Sequence, residues 1–243
     1  MTYCVGMLLN EGLVFLSDSR TNAGVDQVNT FRKMKVWQRA GDRVLVLLSS
    51  GNLSITQSVV NILEERMLAA DVPHLFNAPN LFEAATCVGE ALREVRRRDG
   101  ESLEEMGIDF NAALILGGQI AGEPHRLFHV YAAGNFIEAT PETPFFQIGE
   151  SKYGKPILDR VITPDSSLDE AAKCALISMD STIRSNLSVG LPLDFLSYQR
   201  DTLTVQRQAT IDADDPYFAM IHSRWGAELR RVFSELPNPT WGI

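Results

Sequence analysis

Apolar side chains crowd together from the second residue: "TYCVGMLL" and, past the turn residues Asn10-Glu11-Gly12, "LVFLSDS" read as a hairpin of two largely buried strands. "KMKVWQ" and "RVLVLLSS", divided at Ala40-Gly41-Asp42, predict a second antiparallel pair. From Leu53 the period changes. Leu53, Val59, Val60, Ile62, Leu63 and Met67 recur at helical spacing up to the loop "DVPHLFNAPN". A second helix opens on Asn80 as N-cap with Glu83 three residues on, runs through "LFEAATCVGEALREVRRR", and is expected to break at Asp99-Gly100. Its Arg96-Arg97-Arg98 run reads as a solvated last turn that suits the helix dipole.

Four more strands follow in "DFNAALILGGQ", "HRLFHVYAAG", "NFIEAT" and "PFFQIG". Helices are expected from Ser151 to Arg160 and from the capping box Ser167-Leu168-Asp169-Glu170 toward Arg184. "LDFLSYQ" and "TLTVQRQ" predict a last hairpin, and an amphipathic helix from Asp214-Asp215-Pro216 to Phe233 precedes the tail "PNPTWGI". No linker-like stretch divides the chain and no long internal period recurs, so residues 1–243 read as one domain. Antiparallel strands alternating with pairs of helices predict an α+β fold of two stacked sheets between helical layers, a four-layer αββα sandwich.

Composition narrows the function. With 45% hydrophobic residues the chain can build a substantial core, and 22 Lys plus Arg against 31 Asp plus Glu leave a net charge of −9. That balance disfavours nucleic acid as a partner. The start has no basic, apolar signal segment and no stretch is long enough to span a membrane, which makes the cytoplasm the expected compartment. Cys4, Cys87 and Cys174 are odd in number and widely spaced, so buried thiols are expected rather than disulfides or a metal site. His125 and His129 stand four apart on a predicted strand and share no ligating face. Gly117-Gly118 sits at a strand end with no helix after it, which excludes a dinucleotide fingerprint, and Ser50 and Ser54 lack a nucleophile elbow. No metal or organic cofactor is implied.

What remains is an N-terminal constellation. Removal of Met1 would leave Thr2 with a hydroxyl and a free α-amine, whose reference pKa of roughly 7.7–8.0 makes it a base near working pH. The predicted hairpin returns "SDSR" beside Thr2, which makes Asp18 its neighbour. Lys33 and Lys35, at period two, are expected on one face of the next strand, so either can reach the same spot. A lysine ammonium there would lower the amine's pKa and stabilise developing negative charge, with Asp18 holding it in place. The acyl group would rest on Thr2 as an ester until water released it.

An opening Thr, then "SDSRTNAG", a Lys pair and "SSGN" leading into a helix resemble a proteasome-type β-subunit of the N-terminal nucleophile hydrolases. The later "GESKYGKPILDR" and "STIRSNLSVG" extend the resemblance over essentially the whole chain. It implies Thr2 as nucleophile, Asp18, Ser19 and Arg20 as the acid and its followers, and as the lysine Lys33, the favoured match through "RK", or Lys35 through the following "KV". It also implies Gly51 as the oxyanion amide and Ser151 and Ser188 near the amine, with Thr21 and Ser49 shaping substrate preference. Where the family has an aspartate this chain has Ser185, which removes one charge from the site. The resemblance further implies a homo-oligomer, either a ring or an open helical ring of identical subunits, around a chamber that admits peptides or unfolded protein. It specifies no ATPase partner. Two other functions stay open: a scaffold or peptide-binding chamber with little proteolysis, and a different N-terminal nucleophile amidase. The amidase would need Cys or Ser at the exposed position, and Cys4 stands two residues too late.

Overall fold

A computed structural model describes residues 2–22, 28–69 and 71–241. Met1, Ala23 and Gly24 of the "SDSRTNAG" motif, and Gly242 and Ile243 of the tail lie outside the described residues. The first sheet is built from β1 (Tyr3–Leu9), β2 (Gly12–Asp18), β10 (Phe145–Gly149), β11 (Leu193–Gln199) and β12 (Arg207–Ile211), in the order β10-β1-β2-β11-β12. The second holds β5 (Met34–Arg39), β6 (Arg43–Gly51), β7 (Ala112–Ile120), β8 (Arg126–Val130) and β9 (Phe136–Glu138), in sequence order. A small hairpin of β3 (Arg20–Asn22) and β4 (Val28–Thr30) stands apart. Every pairing among these strands is antiparallel.

Helices α1 (Leu53–Met67) and α2 (Leu81–Glu105) cover the outside of the second sheet. Helices α3 (Ser151–Val161), α4 (Leu168–Ser185) and α5 (Pro216–Glu235) cover the outside of the first. Strands β1, β2, β6 and β7 read as nearly continuous apolar runs because both of their faces are covered. In β6, Leu45 and Leu47 pack toward the helices while Val44, Val46 and Leu48 fill the space between the sheets. In β2, Val14 and Leu16 face α4's side, whereas Leu13 and Phe15 enter the inter-sheet core. This is the αββα order that the alternation of strand and helix predicts. No helix among the described residues is long and apolar enough to cross a membrane.

Four expectations need correction. Helix α2 passes through Asp99-Gly100 and ends at Glu105. An interior glycine costs a helix only about 1 kcal/mol, and Leu103 one turn further packs against the core. The arginine run is therefore mid-helix, though still exposed. The last hairpin pairs Leu193 with Ile211 through Ser197 with Arg207, so its second strand starts later than "TLTVQRQ". Asp201 and Leu203 take positive φ, and the Val205 amide is claimed by the Gln38 side chain at 2.7 Å, which makes 201–206 a built loop. Gly117-Gly118 lies inside β7, not at its end. Finally, Lys33 precedes β5 instead of sharing a strand face with Lys35.

Candidate active site

The β1–β2 hairpin sets Thr2 and Asp18 side by side at one end of the first sheet. Cys4 pairs with Ser17 in register, so the chain just before β1 meets the last residue of β2. Asp18 is fully buried, and its Oδ1 accepts the Tyr3 amide at 3.0 Å and the Lys33 Nζ at 2.7 Å. Lys33, 5% exposed, also donates to the Arg20 carbonyl at 2.7 Å. One carboxylate oxygen thus joins the ammonium of Lys33 to the peptide unit that follows Thr2. Burial pushes the Asp18 carboxyl above its ordinary range, and the Lys33 charge and hydrogen bond and the Tyr3 and Gly190 amides oppose that rise.

Thr2 itself is 8% exposed and is held from the other side by β10. Its carbonyl accepts the Glu150 amide at 2.7 Å. Gly149 makes this approach possible: its φ is +82°, and a Cβ there would stand 1.9 Å from the Thr2 carbonyl oxygen and 3.3 Å from Ser50 Oγ. The same near-contact brings the end of β6 beside Thr2. Gly51 follows Ser50 with φ +110° against the Asn111 carbonyl, immediately before Asn52, whose side chain caps α1. The first amides of a helix at this place suit an anion.

Ser19 donates its hydroxyl to the Pro192 carbonyl at 2.6 Å and its amide to the same oxygen at 3.0 Å. Arg20 donates to the Leu187 carbonyl at 2.9 Å and so holds the loop that carries Ser188. The Ser188 amide is fixed by the Asn186 side chain at 2.9 Å. Ser151 opens α3 directly after Glu150, and its carbonyl accepts Gln147 Nε2 at 3.3 Å. Ser185 is the exposed last residue of α4. Ser49 is buried, donates its amide to the Lys33 carbonyl at 3.0 Å, and lines a cavity beside Lys33, whereas Thr21 lies half-buried in β3 and is not among the residues of that cavity.

Lys35 does not converge on this spot. It is exposed and reaches Glu64 on α1 at 3.0 Å. Lys33, bent inward before the strand begins, is the lysine beside Asp18, with its backbone held by the Ser49 amide on its carbonyl and its ammonium by the buried carboxylate. Cys4 is fully buried, and burial first and the Asp18 charge second push its thiol far up, which keeps it protonated and unreactive.

Two features escape a sequence reading. Asp194, which reads as an isolated structural acid, is 4% exposed and takes Arg32 Nη1 at 2.7 Å. It lies in one cross-strand row with Cys4, Ser17 and Thr210. The signal was an acid inside the apolar run "LDFLSYQ" and a basic residue next to Lys33. Tyr3, fully buried, shares its hydroxyl with Ser178 and Gln147, each at 2.6 Å, and thereby ties β1, α4 and β10 together.

No family model and no curated protein matches the chain. Solved structures do. Anbu (ancestral beta-subunit) from Yersinia bercovieri is 55% identical over 99% of this chain and 100% of that one, with a TM-score of 0.93. An Anbu (Gly-1) mutant from Hyphomicrobium sp. strain MC1 is 52% identical over 98% and 99%, with a TM-score of 0.92. The helical assembly of the Anbu complex from Pseudomonas aeruginosa contains a chain 50% identical over 98% of each, with a TM-score of 0.93. Identity at this level over nearly the full length of both chains means that this chain belongs to the Anbu, or ancestral β-subunit, family and carries its proteasome-like fold.

Proposed function

We propose that the chain is a threonine hydrolase of the cytoplasm in which Thr2, its α-amine freed by loss of Met1, attacks peptide, amide or ester carbonyls. The hydroxyl oxygen bonds to the carbonyl carbon as its proton passes to the α-amine. The Gly51 amide faces the resulting oxyanion. Collapse of that intermediate expels the leaving group with the proton and leaves an ester on Thr2, which water then cleaves. Lys33 keeps a positive charge beside the amine, and Asp18 keeps Lys33 oriented. Ser151 and Ser188 flank the amine, and Thr21 and Ser49 contact substrate.

The observation that carries this reading is Asp18 Oδ1, which joins Lys33 and the amide after Thr2 in a fully buried setting. The helical assembly of the Pseudomonas aeruginosa relative supports a ring or open helical ring of identical subunits. A second reading, a scaffold or peptide-binding chamber with little proteolysis, is favoured by Ser185, which stands where the resemblance to proteasome-type β-subunits implies an aspartate. The two are separated by intact mass and by hydrolysis of a small peptide or ester by wild type and Thr2→Ala. Loss of Met1 together with hydrolysis that vanishes in Thr2→Ala supports the hydrolase. Hydrolysis indifferent to Thr2, or Met1 on every chain, overturns it.

A further inference from the structure

The acyl-enzyme would hold one substrate residue covalently on Thr2, and that residue's side chain must occupy whatever space adjoins Thr2. A cavity on the Lys33 side of the site measures 340 Å³ and has Lys33 and Ser49 in its lining. Its charged lining is of one sign. Arg32, Lys33 and Lys35 line it, and no carboxylate stands among the described residues that do so. From α1, Gln57 and Asn61, both exposed and one helical turn apart, add amide donors on the facing wall.

The three cations are not equivalent. Lys33 is 5% exposed and committed to Asp18 behind it. Lys35 is 47% exposed and reaches Glu64, one turn beyond Asn61. Arg32 is 64% exposed, yet its guanidinium is pinned by the buried Asp194 at 2.7 Å and rests near Thr210 Oγ1 at 3.4 Å. Arginine carries five N–H donors in a rigid fork, and these two contacts engage two of them. Arg32 also lines the cavity, and its guanidinium is already oriented by a buried anchor, so little side-chain entropy is lost when a carboxylate arrives.

We propose that this cavity selects an acidic side chain, and that Arg32, held by Asp194, and Lys35 are its specificity-determining residues. The substrate class is then peptides cut after glutamate or aspartate. The proposal deepens the hydrolase reading and rests on it for the role of Thr2. Phe31, Leu47 and Val60 contribute apolar wall, but the cationic residues disfavour a lysine side chain by like charge and add a charge-assisted contact that only an acidic side chain can make.

Binding tests this apart from turnover. The assembled Thr2→Ala protein is titrated by calorimetry with alanine-based hexapeptides identical except for Glu, Gln, Leu or Lys at one central residue. The Glu peptide should bind at least about tenfold more tightly than the Gln peptide, the difference expected of a charge-assisted over a neutral contact, and the Lys peptide most weakly. The Glu preference should vanish in Arg32→Gln and shrink in Lys35→Gln. Because Arg32→Gln strands a buried Asp194, the double variant Arg32→Gln/Asp194→Asn repeats the test with no unpaired charge, and it too should treat Glu and Gln alike. Equal affinities in the Thr2→Ala parent, a preference for Leu or Lys, or no binding of any peptide overturns the proposal. A Glu preference in a protein that shows no Thr2-dependent hydrolysis would instead uphold the cavity and defeat the hydrolase.

Discussion

Lys33 and Lys35 stand two residues apart and make ion pairs of nearly equal length, 2.7 Å to Asp18 and 3.0 Å to Glu64. Their surroundings differ completely: 5% and 0% exposure for the first pair, 47% and 41% for the second. Water screens the outer pair, so its attraction is offset by the entropy of fixing two long side chains. The inner pair has lost its hydration and depends on its partners alone. Asp18 also binds the Tyr3 amide, and Lys33 the Arg20 carbonyl, so the buried pair is a junction of three chain segments. Distance therefore says little about what an ion pair does; burial and shared partners decide it.

Breaking one side of each pair should make that contrast measurable. Lys33→Met leaves Asp18 buried without its cation and should destabilise by about 3–5 kcal/mol, read from chemical denaturation. It should also lower any Thr2-dependent hydrolysis about 100-fold or more, the scale of a lost preorganised electrostatic contact. Asp18→Asn/Lys33→Met removes both charges and should regain most of the stability without regaining hydrolysis, which separates the two roles. Arg32→Gln is the intermediate case, because Arg32 is 64% exposed and its partner Asp194 only 6%. It should cost about 1–3 kcal/mol, the range for a buried acceptor left unsatisfied. Lys35→Ala should cost no more than about 1 kcal/mol, and less at high salt. A loss for Lys35→Ala as large as that for Lys33→Met would refute the contrast.

The smallest effect concerns burial with no partner at all. His129 is half-buried beside Tyr131 and Phe146, its Nε2 has no hydrogen-bond partner, and burial alone holds its imidazole below the ordinary value. As pH falls, the unfolded chain takes up this proton before the folded one does. The contribution is complete above the unfolded value of about 6.5 and is lost as pH drops through the lower folded value. His129→Phe should therefore lose less stability than wild type on acidification from about pH 7.5 to 5, followed by thermal unfolding.

Element type and order were legible in the sequence because two periods alternate cleanly and because Asn80, Ser167 and Asp215 announce their helices. The departures have local causes. Gly100 reads as a breaker, but Leu103 beyond it gains enough from the core to carry α2 onward. The loop 201–206 reads as a strand because its side chains are β-formers, although its backbone is set by Gln38 and Tyr198 from other elements. At the site, Thr2, Asp18 and a lysine were legible from chemistry and spacing. The match to "RK" favours Lys33 over Lys35, but the geometric reason was not legible, because it depends on how the chain enters β5. Asp194 was hidden for a related reason: its partner Arg32 lies 162 positions away.

If Thr2 is the nucleophile, it accepts an acyl group, and the Asp18–Lys33 pair enables that step. Acid-quenched intact mass and N-terminal peptide mapping after a brief exposure to an activated peptide ester test it directly. An acyl adduct on Thr2 is expected in chains that lack Met1, absent in Thr2→Ala and Lys33→Met and retained in Lys35→Ala. Met1 on every chain, an adduct elsewhere, or an adduct on Thr2 that persists in Lys33→Met would contradict it.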